Sequence, residues 1–154
     1  AEDLIDRYFK AFPKIGGFLS MLGKYGKKFG YIKTFPPYNR RRWFSNWYPR
    51  IHTNRSAAFE LGSIERASKN TPIQGASADM TKRALILMRS HIKEFKLPVK
   101  LVMTVHDQID TICTIDYAPE WVLLMTELME NAALEIVTNG LLKADTNISK
   151  SWEK

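Results

Sequence analysis

A single cysteine, Cys113, stands among the 154 residues. That excludes an internal disulfide and any zinc site built on several thiolates, and it fits a reducing compartment. Long apolar runs are missing as well. Ala84 to Met88 is typical of the longest, far short of the ~18 residues that span a bilayer, so no membrane association is expected. The three histidines, His52, His91 and His106, show no HExxH-like spacing, which leaves a histidine-based zinc site unsupported. No serine sits in a G-x-S-x-G context and no glycine-rich phosphate loop is present. The opening Ala1-Glu2-Asp3 is acidic and has no apolar core, so no signal peptide is visible. Without an initiator Met, it is read as the start of a processed or excised piece.

Acidic residues are absent from one whole stretch. From Lys24 to Phe59 there are nine basic residues, ten aromatics and no Asp or Glu. Residues 1–56 carry 12 Lys or Arg against 3 acids, a net of +9, while residues 57–154 carry 11 against 13, a net of −2. A field this one-sided suits a polyanion, most simply the phosphates of nucleic acid. A solvated basic face without a partner is the alternative. Otherwise the chain is ordinary: 45% hydrophobic and 25% charged, the mix of one globular domain rather than a disordered tail.

The order of elements reads as α+β. Leu4, Ile5, Tyr8, Phe9 and Phe12 recur at helical spacing over Asp3–Ala11, and Pro13 stops or restarts the chain. A second helix is expected over Pro13–Phe29, closed by Gly30. Tyr31–Thr34 reads as a short strand, and the basic Arg40-Arg41-Arg42 segment follows Pro36-Pro37. Residues 45–54 look irregular. Ala57–Ser68 reads as a short helix. Thr71 and Pro72 open a longer one, with Ile73, Ala76, Met80, Ala84, Leu87 and Ile92 as its apolar stripe, ending before Pro98. Val99–Val105 alternates, placing Val99, Leu101, Met103 and Val105 on one face, and Ile109–Ile115 is a second β-branched run. Together they predict a hairpin joined by His106-Asp107-Gln108. A helix from Pro119 and a last short strand at Leu141-Leu142 complete the pattern.

The hairpin tip is the sharpest chemical feature. A carboxylate there has little freedom, which is how a protein holds Mg²⁺ with one or two acids and leaves the other positions to phosphate and water. Asp107 in an ordinary β-turn is the bland alternative, because turn Asp is common. Arg40, Arg41 and Arg42, flanked by Tyr38 and Trp43, offer bidentate bonds to phosphate with rings that stack on sugar or base. An exposed turn is the alternative there. Cys113, placed mid-strand, reads as a small core residue rather than a nucleophile.

Segments along nearly the whole chain, in the right order, resemble the C-terminal part of family A DNA polymerases, the DNA polymerase I-like group. Glu65-Arg66-Ala67-Ser68-Lys69-Asn70-Thr71-Pro72-Ile73-Gln74-Gly75-Ala76-Ser77-Ala78-Asp79-Met80-Thr81-Lys82-Arg83-Ala84 resembles that family's E-R-A-x-N-x-P-x-Q-G-T-A-A-D-x-x-K-x-A helix. Val105-His106-Asp107-Gln108 resembles its V-H-D-E tip. Upstream, Tyr8-Phe9, Phe12-Pro13-Lys14-Ile15, Gly30-Tyr31-Ile32-Lys33-Thr34 and the arginine triplet resemble its Y-F-x-x-Y-P-x-V, G-Y-V-x-T and G-R-R-R segments, and Trp152 resembles its C-terminal Trp.

The resemblance implies that residues 1–154 are a C-terminal palm segment, long helices packed on a small antiparallel sheet whose hairpin carries His106-Asp107. It implies a part of a DNA-directed DNA polymerase, with primer–template DNA and dNTP as partners and a two-ion Mg²⁺ site. Asp107 matches a metal-binding aspartate, His106 a histidine near the primer terminus, and Gln108 a position the family usually fills with Glu. Arg40, Arg41 and Arg42, with Lys27, Lys28 and Arg55 in the same basic stretch, are the nucleic-acid candidates. Gln74 and Asp79 are read as structural. No segment resembles the family's fingers helix or its first catalytic aspartate, so both are expected from an upstream segment or a second polypeptide, and this chain alone is expected to be inactive. A non-catalytic duplex DNA-binding module derived from such a palm is the alternative. The expected setting is the cytoplasm of a bacterium or a phage-infected cell.

Overall fold

The computed structural model describes residues 2–49 and 51–152, apart from the side chains of Glu2, Asp3 and Arg55. The chain divides into two compact units, residues 1–75 and 76–154. Among the described residues, four α-helices, three short 3-10 turns and two separate two-stranded antiparallel ribbons form the regular structure, the mixed α+β content expected from the sequence.

In the first unit, α1 (Glu2–Ala11) and α2 (Pro13–Phe29) meet at Pro13, as the proline predicts. Gly30 closes α2 at φ 74°, with its N–H on the Gly26 carbonyl at 2.9 Å, the left-handed cap that glycine adopts without a Cβ penalty. The chain then forms β1 (Tyr31–Lys33) and returns as β2 (Arg41–Trp43). The register pairs Tyr31 with Trp43, Ile32 with Arg42 and Lys33 with Arg41. The arginine triplet is therefore not an exposed turn: two of its three residues lie in a strand. A small core of Ile51, Ala57 and Ile64, flanked by Phe44, Trp47 and Leu61, packs below. Trp47 completes it by donating Nε1–H to the Lys27 carbonyl at 2.8 Å.

Two expected helices are one. α3 runs unbroken from Ala58 to Glu94 with Pro72 in its interior. Proline removes one ladder bond and crowds the preceding turn, at a usual cost of ~3 kcal/mol. Here local hydroxyls supply other bonds: Ser68 Oγ donates to the Ile64 carbonyl and Thr71 Oγ1 to the Ala67 carbonyl, each at 2.7 Å. Such back-bonds accommodate bending of the ladder. Pro72 and Ser68 are among the fully buried side chains. Thr71 is thus not a cap but a mid-helix residue.

The second unit builds its core from Ala84, Met88, Val99, Ile109, Trp121, Met125, Leu128 and Ala132. Met88 is fully buried, whereas Ile73, placed on the stripe by sequence, is 51% exposed and belongs to the first unit. β3 (Val99–Val105) and β4 (Gln108–Cys113) form the expected hairpin. α4 (Ala118–Leu134) packs Trp121, Met125, Leu128 and Ala132 inward, a spacing of four, three and four that keeps one helical face. Trp121 Nε1 donates to Thr111 Oγ1 at 2.8 Å, tying the helix to β4. Cys113 packs against this core, as expected. Leu141-Leu142 is not a strand. Residues 140–149 run without regular structure, held to α4 by Lys143 on Glu130 at 2.8 Å and by the Thr126 and Thr146 hydroxyls at 2.6 Å. Among the described residues no helix is long and apolar enough to cross a membrane.

Candidate functional site

The hairpin that carries Asp107 is not a simple alternation. Its register jumps between Leu101 and Met103, leaving Val102 as the extra residue of a β-bulge. One extra residue inverts the facing of everything beyond it. Val99 and Leu101 share a face with Cys113 and Thr111, but beyond the bulge Thr104 joins that face opposite Ile109. Met103 and Val105 move to the other face, opposite Asp110 and Gln108. Exposure agrees: Val99 and Ile109 are 5% exposed, Met103 40% and Val105 41%. The single face expected for Val99, Leu101, Met103 and Val105 is therefore split in two.

Val105 pairs with Gln108, so the loop has only two residues, His106 and Asp107. His106 takes φ 56°, a left-handed conformation that costs a non-glycine residue about 1 kcal/mol or more and clusters at functional positions. The sequence placed Gln108 in the loop; it is instead the first residue of β4. Both His106 and Asp107 are exposed. Among the described residues, no hydrogen bond or ion pair engages the Asp107 carboxylate. Next to the tip, Thr104 Oγ1 donates to the Gln108 carbonyl at 3.0 Å, and Gln108 Nε2 donates to Asp110 Oδ1 at 2.8 Å. The second Asp110 oxygen is buried and, among the described residues, accepts no hydrogen bond.

A separate constellation forms in the first unit. Thr34, Arg40, Arg41, Arg42, Thr71, Gln74 and Gly75 line an open cavity of about 380 Å³. Arg42 reaches across it to donate to Thr71 Oγ1 at 3.0 Å, and the Arg40 backbone N–H donates to Thr34 Oγ1 at 3.0 Å. The close approach of β1 to α3 requires Gly75, because a Cβ there would overlap the Thr34 methyl. Sequence reasoning missed Thr34, Thr71 and Gln74 as cavity residues. The one available signal was the polar side of α3, and it reads equally well as a solvated face.

The remaining basic candidates differ in their surroundings. Lys27 Nζ lies 2.6 Å from Glu65, which Lys69 also engages at 2.7 Å. Hydrogen bonds from Lys27 and then Lys69 hold the Glu65 carboxyl at about 2, well below its ordinary 4.5. Lys28 is exposed and lies 5.2 Å over the Phe29 ring. The Arg55 side chain lies outside the described residues.

The model of DNA polymerase family A matches residues 1–154. The chain belongs to DNA polymerase family A. DNA polymerase I of Bacillus caldotenax is 32% identical over 152 residues, covering 99% of this chain and 16% of its own length. DNA polymerase I of Bacillus subtilis is 33% identical over 157 residues, with the same two coverages. This chain thus spans about a sixth of the curated relatives it matches. A solved structure described as the POL domain of Pol1 from M. smegmatis in complex with DNA primer–template and dNTP superposes with a TM-score of 0.71. It is 30% identical and covers 85% of this chain and 22% of its own. Family A membership and the mixed α+β fold agree with the expectation from sequence.

Proposed function

We propose that this chain is the C-terminal palm segment of a DNA-directed DNA polymerase, in which Asp107 provides one carboxylate of a two-ion Mg²⁺ site. The observation that carries the proposal is the tip itself. In a chain of this family, a two-residue turn on a paired ribbon presents an exposed carboxylate that no described residue engages. The donor set fits a hard cation that takes one or two carboxylates and leaves its other positions to phosphate oxygens and water. A magnesium ion held by Asp107 would supply Lewis acidity toward a primer hydroxyl and charge neutralisation toward the pyrophosphate leaving group.

The chain's own residues have simpler tasks. The β3–β4 ribbon limits the motion of Asp107, so its charge is aimed before substrate arrives. His106, exposed beside it on the turn, is assigned to the neighbourhood of the primer terminus. Gln108 spends its amide N–H on Asp110 and so adds no charge to the tip. Arg40, Arg41, Arg42, Lys27, Lys28 and Arg55 supply positive charge to DNA phosphates, with dNTP as the second substrate. A second aspartate and a fingers helix come from an upstream segment or another polypeptide, and this chain alone extends nothing.

Primer extension tests the proposal. Supplied with a segment bearing the fingers and the second aspartate, the chain should extend a primer, and Asp107→Ala should lower the rate by at least a hundredfold while leaving primer–template affinity within a few fold. Extension untouched by Asp107→Ala refutes the assigned role. The alternative, a duplex-binding module without chemistry, draws on the neutral Gln108. It predicts tight DNA binding with no extension under any complementation.

A further inference from the structure

The β1–β2 ribbon has two unlike faces. Ile32, buried, and Arg42, bound to Thr71, lie on one. By the two-residue period of a strand, Tyr31, Lys33, Arg41 and Trp43 lie on the other. Trp43 is 63% exposed, an unusual placement for the largest side chain. It packs beside Tyr31 at 4.8 Å between ring centroids, and the Arg41 guanidinium lies 5.2 Å from the Tyr31 ring centre. Tyr31 is itself braced. The Tyr25 hydroxyl donates to the Tyr31 hydroxyl at 2.9 Å, and the Tyr25 ring meets Phe29 at 4.6 Å and Tyr31 edge-on at 5.6 Å. That hydrogen bond, and then burial, raises the Tyr25 phenol above its ordinary value.

We propose that this face is a stacking platform for an unpaired base of single-stranded DNA, with Trp43 as the stacking ring and Arg41 and Lys33 as contacts to the adjoining phosphates. The occupant follows from charge and shape. No acid occurs from Lys24 to Phe59, so the surface selects a polyanion. Bases inside a duplex have both ring faces covered, whereas an unpaired base offers one to an exposed aromatic, and every base stacks in this way whatever its identity. Residues two apart on a strand are separated by about 6.7 Å, so a base on Trp43 leaves its backbone beside Arg41. The braced ring array gives the platform its shape before binding, which limits the ordering cost. This inference rests on the nucleic-acid part of the proposed function and is independent of Asp107.

The test measures binding of the 154-residue chain to fluorescein-labelled single-stranded dT12, the same strand with abasic sites, and a 12-base-pair duplex, without Mg²⁺ or dNTP. Trp43→Ala should weaken dT12 binding by about 5- to 150-fold, and change abasic and duplex affinity less than twofold. Trp43→Phe should recover most of the loss. Because its charges are unchanged, Trp43→Ala should keep the salt dependence of wild type, whereas Arg41→Gln should lower the slope of log affinity against log salt by about 0.7. Circular dichroism checks that each variant folds. Equal weakening on all three probes, or a dT12 affinity within twofold of wild type, overturns the platform and leaves the Asp107 proposal standing. No binding of any probe by wild type at low salt overturns the nucleic-acid reading along with it.

Discussion

Gln108→Glu installs the residue that family A usually carries next to the tip aspartate, yet in this chain it should be harmful. Gln108 Nε2 donates to Asp110 Oδ1 at 2.8 Å, and the other Asp110 oxygen is buried with no hydrogen bond among the described residues. The substitution removes the donor and sets a second negative charge against the first. Losing a hydrogen bond to a charged acceptor costs about 1.5 kcal/mol. Two like charges at 4 Å repel by about 1 kcal/mol in water and about 4 at an effective dielectric of 20. Both side chains are partly exposed and can turn apart, so the lower figure applies, for a total of about 2.5 kcal/mol at pH 7. That corresponds to a fall in Tm of about 5–10 °C. The two carboxyls would share a proton, which the folded variant binds more tightly than the unfolded chain. The penalty therefore disappears as pH falls and is complete at neutral pH.

Urea denaturation from pH 3 to 8 reads the effect. The double variant Gln108→Glu with Asp110→Asn returns one donor and one acceptor to the pair and should restore most of the loss. A Gln108→Glu protein as stable as wild type at pH 7, with no pH dependence to the difference, would show that Gln108 and Asp110 are not a coupled pair.

Two further perturbations address the first unit. Glu65 is held at about 2 by Lys27 and Lys69. Because its side chain is 34% exposed, the gain is discounted to about 1 kcal/mol. It should be present above about pH 4.5 and be lost as pH falls toward 2, so Glu65→Gln should cost about 1 kcal/mol in urea at pH 7 and nothing at pH 2. A difference independent of pH would rule this out. Gly26→Ala gains up to about 1 kcal/mol of helix propensity, but its Cβ would overlap the fully buried Ser68 side chain. Overpacking of about 1–3 kcal/mol should win, with recovery in Gly26→Ala combined with Ser68→Gly. A thermal midpoint raised by Gly26→Ala alone would contradict the close helix approach.

Much of the architecture was legible because its signals are local. Pro13 and Gly30 mark the ends of α2, and two β-branched runs a short distance apart mark the hairpin. The features that were not legible share a physical cause: their local signal is ambiguous and packing decides between the options. Pro72 reads as a first-turn residue because an interior proline is costly, and the back-bonds of Ser68 and Thr71 that accompany it in the helix involve residues also favoured at caps. β2 is Arg-Arg-Trp with every residue exposed, so it has no apolar alternation to read. Its pairing is set by β1 and by the Arg42–Thr71 bond. Trp121, the largest fully buried side chain, has apolar neighbours Val122, Leu123 and Leu124 on every side of the helix, so the sequence does not single out its face.

The bulge at Val102 explains why the tip differs from the plain alternation of its sequence. Val102 is as apolar as its neighbours, so nothing in the string Val-Lys-Leu-Val-Met-Thr-Val shows that one residue is unpaired. Without the bulge, Met103 and Val105 would continue the core face of Val99 and Leu101, and Met103 would fall opposite Ile109 rather than Asp110. With it, Met103 and Val105 turn to the face of Asp110 and Gln108, which are joined by a hydrogen bond, and Thr104 falls opposite the buried Ile109. A single extra residue in β3 thus turns two apolar side chains out of the core next to Asp107, while Ile109 of β4 stays buried. Asp110, three positions along from Asp107, accepts from Gln108 across this open end of the ribbon.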